Sequence, residues 1–472
     1  MNAVSSTPLS EGWQWKARRY ASQAQRVMGD PRILADVFVV PHLPAQLLAG
    51  GVRLRSLPPF RTAARLSHGW DWARLRDFVR SLDHPVFSRI RDYLDNSGEG
   101  IAVAKAEAAQ GIRQDIVAHR LLECLSQREL WDAARVVTQF GFFDAALAFR
   151  VAALSRLLQH RKTPENLRQQ VILELAGMTG SELEGLAYDY GLDIPQASLS
   201  GQADGHGYSV HDILNVYRQA SVSWYEKMRH QMPPEAFRRI QELGRNKPDL
   251  AGEKILFVGP SMRDSDPVSR DWPDRVMRVG YLGPSSTADG DEWPTDLAFY
   301  RDHKLSGLTT DAMRDLFGGR RVLLSNLKAS TLSRLPSGVH AFYSQFSGDV
   351  LVQREPNAGP EAVMCVLDGG ATQVHLTHMD LLLNSAYPSG YVRNNAEKRI
   401  SHDGGSLEVE AKCRSMALNH PPISQFSTLK LLAQRKVLTA DDFLMAILDS
   451  SARAYYARLQ DSYHPLASRV GT

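Results

Sequence analysis

The stretch that decides the fold is KILFVG at residues 254–259, a short apolar run that ends in glycine. A continuous apolar run of this length, bounded by a turn residue, is typical of a strand buried on both faces of a parallel sheet. Runs of the same kind follow at 276–281, 296–300, 321–324, 339–343, 350–352 and 373–376. Helical periodicity falls between several of them, and two helices, over 424–435 and 439–459, are predicted to close the chain. This alternation predicts an α/β fold with a Rossmann-like, mostly parallel sheet.

The half of the chain before this stretch has helical periodicity instead. Apolar residues recur at steps of three and four from residue 112 onward, and turn residues interrupt them near 141, 163, 179 and 191. A glycine-rich loop over 193–207 precedes a long helix predicted from Val210 to about Met232. We therefore predict an all-helical domain over 1–245 and a Rossmann-like domain over 246–472.

Composition limits the classes of function. The 472 residues carry a net charge of only +3, which argues against a nucleic-acid binder, because such proteins concentrate positive charge to neutralise phosphates. The three cysteines are too few and too widely spaced for a disulfide framework or a zinc site. The first 25 residues lack the apolar stretch of a signal or anchor segment. We expect a cytoplasmic protein in a reducing compartment, with the helical half available to contact the inner face of a membrane or a partner protein.

Four motifs follow one another in the C-terminal half. VGPS at 258–261 is followed by DRVMRVG at 274–280, and PNAG at 356–359 opens a helix that leads to TQVHL at 372–376. His402-Asp403 and then HPPISQ at 420–425 complete the series. In this order the motifs resemble the large, small, histidine and final motifs of the sialyltransferases, over about residues 254–437.

The resemblance implies a glycosyltransferase of a divergent bacterial type that uses a CMP-activated sugar. The sequence departs from the family pattern at Pro260 and Gly280, where the family has asparagines that hold the nucleotide, and at Gln425, where it has glutamate. The cysteine pair of the family is also absent, because Cys365 has no counterpart in the first motif.

Carried over residue by residue, the resemblance implies a set of site residues. His420 is the candidate general base, since imidazole titrates near neutrality, and His402 is a candidate donor to the phosphate or carboxylate of the sugar nucleotide. The candidate donor-binding residues are Gly259, Ser261, Arg278, Asn357, Gly359 and Ser424. The backbone at Gly259 would approach a phosphate closely, and Ser424 would cap the helix behind His420.

The polar segment 384–419 suits a lid over the site, and Tyr387, Tyr391 and Arg393 are its candidate contacts to the acceptor or the sugar carboxylate. His375 and His378 flank Thr377 at a strand end, but a metal site there would need a third ligand that the sequence does not supply. We expect no metal and no cofactor other than the CMP-sugar substrate.

The predicted reaction is transfer of an acidic sugar, of the sialic, pseudaminic or Kdo type, to a glycan, glycolipid or protein acceptor. One alternative is a retaining transferase in which a carboxylate such as Asp380 attacks the anomeric carbon. Another is a degenerate sialyltransferase-like recognition module with the helical half as its interaction surface.

Overall fold

The computed structural model describes residues 101–118, 120–125, 127–139, 141–160, 163–192, 208–261, 268–283, 293–346, 357–383 and 420–462. The chain divides into two compact units, Met1–Val136 and Val137–Thr472. In the first unit, the described residues form helix α1 (Ile101–Ala118) and helix α2 (Leu121–Cys124), and helix α3 (Gln127–Gln139) crosses the division. Ile112, Ile116 and Leu130 are fully buried, as their helical spacing predicts.

In the part of the second unit that the structure describes, five helices precede the sheet. Their bounds are α4 Phe143–Gln159, α5 Glu165–Leu175, α6 Gly180–Tyr190, α7 Val210–Gln231 and α8 Pro234–Arg245. Several turn residues act as predicted: Gly141 and Gly191 adopt φ of +78° and +65°, and Thr179 forms a capping box with Glu182 at the start of α6. The predicted loop over 193–207 and residues 1–100 lie outside the described residues, so the all-helical domain over 1–245 stays a prediction.

Among the described residues, seven strands form one sheet in which every pair is parallel. The strands are β1 Lys254–Val258, β2 Arg275–Val279, β3 Leu297–Arg301, β4 Arg321–Ser325, β5 Ala341–Tyr343, β6 Gln373–Thr377 and β7 Leu438–Ala440. The strand order is β5-β4-β3-β2-β1-β6-β7. The predicted Rossmann-like parallel sheet is confirmed.

This order contains one reversal of direction. The chain builds the sheet outward from β1 to β5, then crosses back to add β6 and β7 on the other side of β1. In such sheets ligands bind outside the carboxyl ends of the strands at the point of reversal. That point lies between the ends of β1 and β6.

The remaining helices of the described residues connect the strands and cover the sheet. They are α9 Asp302–Leu305, α10 Thr310–Phe317, α11 Ala329–Leu332, α12 Ala358–Asp368, α13 Pro422–Gln434, α14 Asp442–Leu448 and α15 Ala452–Ser462. Helices α8 and α10 pack on the face of β3 and β4 that carries Tyr300 and Leu324. Helix α12 covers the opposite face, where its Glu361 contacts Arg301 and Ser325.

The closing segment differs from the prediction. A single helix over 439–459 is wrong, because Leu438–Ala440 is the edge strand β7 and the helical part is split into α14 and α15. Asp441 explains the change, since it follows the strand at once and its carboxylate accepts from Leu444 N at 3.0 Å as the cap of α14. The predicted strand at 350–352 lies outside the described residues.

Helix α13 is enclosed on nearly all sides. Its residues from Pro422 to Leu432 are all buried, although five of them are polar: Ser424, Gln425, Ser427, Thr428 and Lys430. The three hydroxyls among them contact three preceding helices: Arg150 of α4 donates to Ser424, Ser427 donates to the Glu174 carbonyl of α5, and Tyr217 of α7 bonds Thr428. The predicted domain boundary near residue 245 stays a prediction, but helices α4 to α8 belong to the same compact unit as the sheet.

None of the described helices combines the length and the apolar character that crossing a bilayer requires.

Candidate functional site

The turns that follow β1 and β6 are bonded to each other at the reversal point. Gly259 N donates to Thr377 O at 2.8 Å, and Ser261 N donates to His378 O at 2.9 Å. The buried hydroxyl of Ser261 donates to Oδ2 of Asp380 at 3.2 Å. The two turns therefore form one rigid unit at the carboxyl edge of the sheet.

Gly259 is required for this contact. A Cβ at this position would lie 2.3 Å from His378 O and 2.6 Å from Cγ of Met379, closer than real Cβ contacts occur. The sequence motif predicts that this glycine lets a phosphate approach the backbone closely. In the structure, the space that a side chain would occupy is filled by the turn after β6.

The turn after β6 holds three bulky residues in the left-handed region: His378, Leu381 and Leu382 have φ of +52°, +47° and +73°. Such conformations cost about 1–3 kcal/mol each and persist only where the surroundings enforce them. Here Leu382 N donates to Oδ1 of Asp380 at 2.9 Å. Strain concentrated in this way is characteristic of functional turns.

Tyr455 of α15 holds the same turn from outside the sheet. Its hydroxyl donates to Leu381 O at 2.6 Å, and burial raises the pKa of this hydroxyl well above its usual range. The group therefore stays protonated and keeps donating. Its ring stacks on Phe426 of α13 with centroids 5.1 Å apart, which links the turn to the first turns of α13.

Helix α12 starts at the same edge. The helix opens within the PNAG motif, as predicted; Asn357 is its N-cap, and its side chain accepts from Ala358 N at 2.8 Å. A Cβ on Gly359 would lie 2.8 Å from Cε of Met379, so the start of α12 packs on the turn after β6. Met379 thus lies beside both Gly259 and Gly359.

A buried ionic cluster anchors this helix start to β3 and β4. Glu361 is fully buried, and it accepts from Arg301 at 2.6 Å and from Ser325 at 2.7 Å. A carboxylate in the first turn also interacts favourably with the helix dipole. Nothing in the sequence pattern pairs these residues, because they come together only when α12 lies across the ends of the strands.

His420 lies two residues before the start of α13 and is half-buried. Because α13 leads directly into β7 and runs antiparallel to it, its start lies at the carboxyl edge of the sheet. Gln425 Nε2 donates to His420 O at 3.3 Å, and Ile423 N donates to the Tyr456 hydroxyl at 3.2 Å. The entry to the helix is thereby held on two sides.

Two predicted site residues have other partners. Ser424 does not cap α13, because the helix begins at Pro422 with Pro421 at the cap position; its hydroxyl accepts from Arg150 at 3.2 Å. Arg278 is buried, and its guanidinium donates to Thr295 Oγ1 and to the carbonyl of Trp293, both at 3.1 Å.

Other predicted positions lie elsewhere or outside the described residues. Gly280, which replaces a family asparagine, has φ of +62°, a conformation that glycine and asparagine both adopt. His402, Tyr387, Tyr391 and Arg393 lie outside the described residues. Of the predicted site residues, the structure brings together Gly259, Ser261 and Gly359 around the turn after β6.

The two histidines near the end of β6 have different partners. His375 bonds Thr439 Oγ1 through Nδ1 at 3.0 Å and meets the Trp272 ring edge-on, whereas His378 bonds the turn after β1. Within the part of the chain that the structure describes, no three His, Cys, Asp or Glu side chains are grouped to hold a metal ion. The expectation of no cofactor stays a prediction.

Sequence reasoning gave His378 no role beyond that rejected metal site. Its position could have been inferred from the strand it follows, because the end of β6 meets the end of β1 at the reversal point.

Comparisons with family models, with characterised proteins and with solved structures find no match to this chain. The resemblance to sialyltransferases depends on the order of the motifs alone.

Proposed function

We propose that the chain is a glycosyltransferase that moves an acidic sugar from its CMP ester to a hydroxyl of a glycan, glycolipid or protein acceptor. The observation that carries the proposal is the meeting of motif segments at one edge of the sheet. The turn after β1 (Gly259, Ser261), the start of α12 (Gly359) and the start of α13 (His420) come from three separate motifs, and the parallel topology brings all three to the carboxyl edge.

The chemistry needs few groups. The acceptor hydroxyl oxygen attacks the anomeric carbon of the sugar while its proton passes to His420. The bond between that carbon and the phosphate oxygen breaks, and CMP leaves with the electron pair. A positioned base contributes about 10²–10⁴-fold to such a step, and backbone N–H groups at a helix start favour the phosphate.

We propose the inverting version of the reaction. The retaining alternative uses Asp380 as the nucleophile, yet both of its carboxylate oxygens already accept hydrogen bonds, one from Ser261 and one from Leu382 N. These contacts suit a carboxylate that holds the turn together. The stereochemistry of the product distinguishes the two reactions.

The first test is binding of the nucleotide. CMP that binds only the native state raises the free energy of unfolding by about 2.7 kcal/mol at a concentration one hundred times its dissociation constant. We expect a concentration-dependent rise of the melting temperature with CMP. Millimolar CMP and CDP without any rise would remove the donor assignment.

The second test is single-turnover transfer with His420→Ala, which we expect to lower the rate about 10²–10⁴-fold. His340→Ala is the matched control, because His340 is exposed and directly precedes β5, at the opposite edge of the sheet. Equal rates in the two variants would contradict the role of His420. Binding of CMP without transfer or hydrolysis of any CMP-sugar would favour the recognition module.

A further inference from the structure

His378 has a defined protonation pattern in its neutral form. Its Nδ1 lies 3.2 Å from the main-chain oxygen of Ser261, and a carbonyl oxygen can only accept a hydrogen bond. Nδ1 therefore carries the proton, and Nε2 carries a lone pair. Among the described residues Nε2 has no hydrogen-bond partner, and the ring is only half-buried.

A strained backbone and hydrogen bonds hold the ring in this orientation. His378 itself has φ of +52°, and its main-chain oxygen accepts from Ser261 N at 2.9 Å, so the residue is bonded to the turn after β1 through both backbone and side chain. A strained residue with an immobilised ring and an unused acceptor at the reversal point indicates a group that contacts a ligand.

We propose that Nε2 of His378 accepts a hydrogen bond from a ribose hydroxyl of the bound nucleotide, an inference that rests on the proposed function. The neutral ring does not pair with the phosphate, since phosphate oxygens at neutral pH are acceptors and face its lone pair unfavourably. Met379, the next residue, packs on Gly359 at the start of α12, where the phosphate is expected. The ribose is the part of the nucleotide directly attached to that phosphate, and its hydroxyls are donors.

The test uses a variant that removes Nε2 and keeps a donor to Ser261 O. In His378→Asn the amide nitrogen can still donate to Ser261 O in the place of Nδ1, and asparagine tolerates the left-handed backbone. His375→Asn is the matched control, because its ring faces Thr439 and Trp272 instead. Calorimetric titration measures the affinity of each protein for CMP and for 2′,3′-dideoxy-CMP.

We expect His378→Asn to bind CMP about three- to ten-fold more weakly than wild type, which is the net worth of one hydrogen bond. The same variant should bind dideoxy-CMP as wild type does, and His375→Asn should match wild type with both ligands. Equal losses for the two ligands, or no loss for either, would overturn the role of His378 and leave the proposed function standing. Failure of wild type to bind CMP would overturn both.

Discussion

Helices α10 and α13 cover opposite faces of the same sheet in different surroundings. Helix α10 buries Met313 and Phe317 and leaves Asp311, Arg314 and Asp315 exposed, as a surface helix does. Helix α13 buries every residue from Pro422 to Leu432, and its hydroxyls bond three helices that precede the sheet.

The difference shows what the N-terminal helices contribute. A helix can bury both of its sides only when a further layer lies behind it, and a buried hydroxyl needs a partner in that layer. Helices α4, α5 and α7 supply those partners for α13. They are thus part of the support for the helix that His420 precedes.

The largest expected effect comes from breaking the ionic pair behind α13. Arg150 Nη2 donates to Oε2 of Glu174 at 3.1 Å, and the Glu174 side chain is fully buried. Arg150→Met leaves that carboxylate without its cation and should lower the free energy of unfolding by about 3–5 kcal/mol. Arg314→Met is the control on α10, where Arg314 pairs with Asp311 on the surface, and should cost less than about 1 kcal/mol.

Urea unfolding of both variants measures these costs. A double variant, Arg150→Met with Glu174→Gln, should recover part of the loss, because the buried charge is gone. Similar losses for Arg150→Met and Arg314→Met would mean that helices α4, α5 and α7 do not enclose α13.

A smaller effect is expected at two glycines. A Cβ on Gly177 would lie 2.2 Å from Oγ and 2.6 Å from Cα of Ser427, so Gly177→Ala should destabilise by about 1–3 kcal/mol through overpacking. Gly185 in α6 has no atom within 4 Å of the same position, and Gly185→Ala should stabilise by about 0.5–1 kcal/mol. Thermal unfolding gives the sign of both changes in stability, and a neutral Gly177→Ala would contradict the close contact of α13 with the turn after α5.

The smallest effect depends on pH. Burial raises the pKa of Tyr217, whose hydroxyl bonds Thr428 of α13. The folded state therefore keeps this proton where the unfolded chain loses it, so the contribution to stability is complete below about pH 10 and is lost as the pH rises further.

In wild type, this proton makes the free energy of unfolding fall with rising pH by at most about 1.4 kcal/mol per pH unit. Tyr217→Phe removes the proton, so the free energy of unfolding should fall less steeply between about pH 9 and 11. Denaturant midpoints of wild type and variant across that range measure the slope. A steeper fall in the variant would contradict burial of the hydroxyl against α13.

Much of the fold could be predicted because its signals are local. Continuous apolar runs identified six of the seven strands, and turn residues identified the start of α12. Strand β7 was missed because it is a three-residue, partly exposed edge strand with no apolar run of its own.

The surroundings of α13 and the role of His378 could not be read in the same way. The partners of Ser424 and Thr428 lie 274 and 211 residues away along the chain. His378 acquires its orientation only because β6 pairs with β1. The turns after these two strands are far apart in sequence: Ser261 and Asp380, which bond each other, are separated by 119 residues. Such contacts follow from topology, which periodicity does not specify.

The most direct test of the nucleotide site uses the methyl groups of the 12 methionines as reporters. Met379 lies beside Gly259 and Gly359 at the proposed site, whereas Met313 is fully buried in α10 on the other face of the sheet. In spectra of protein with ¹³C-labelled methionine methyls, assigned with Met379→Leu and Met313→Leu, CMP should shift the Met379 resonance in a saturable manner and leave that of Met313 unchanged. A Met379 resonance that does not respond to millimolar CMP, or one that moves together with Met313, would contradict a nucleotide site at the meeting of β1, β6 and α12.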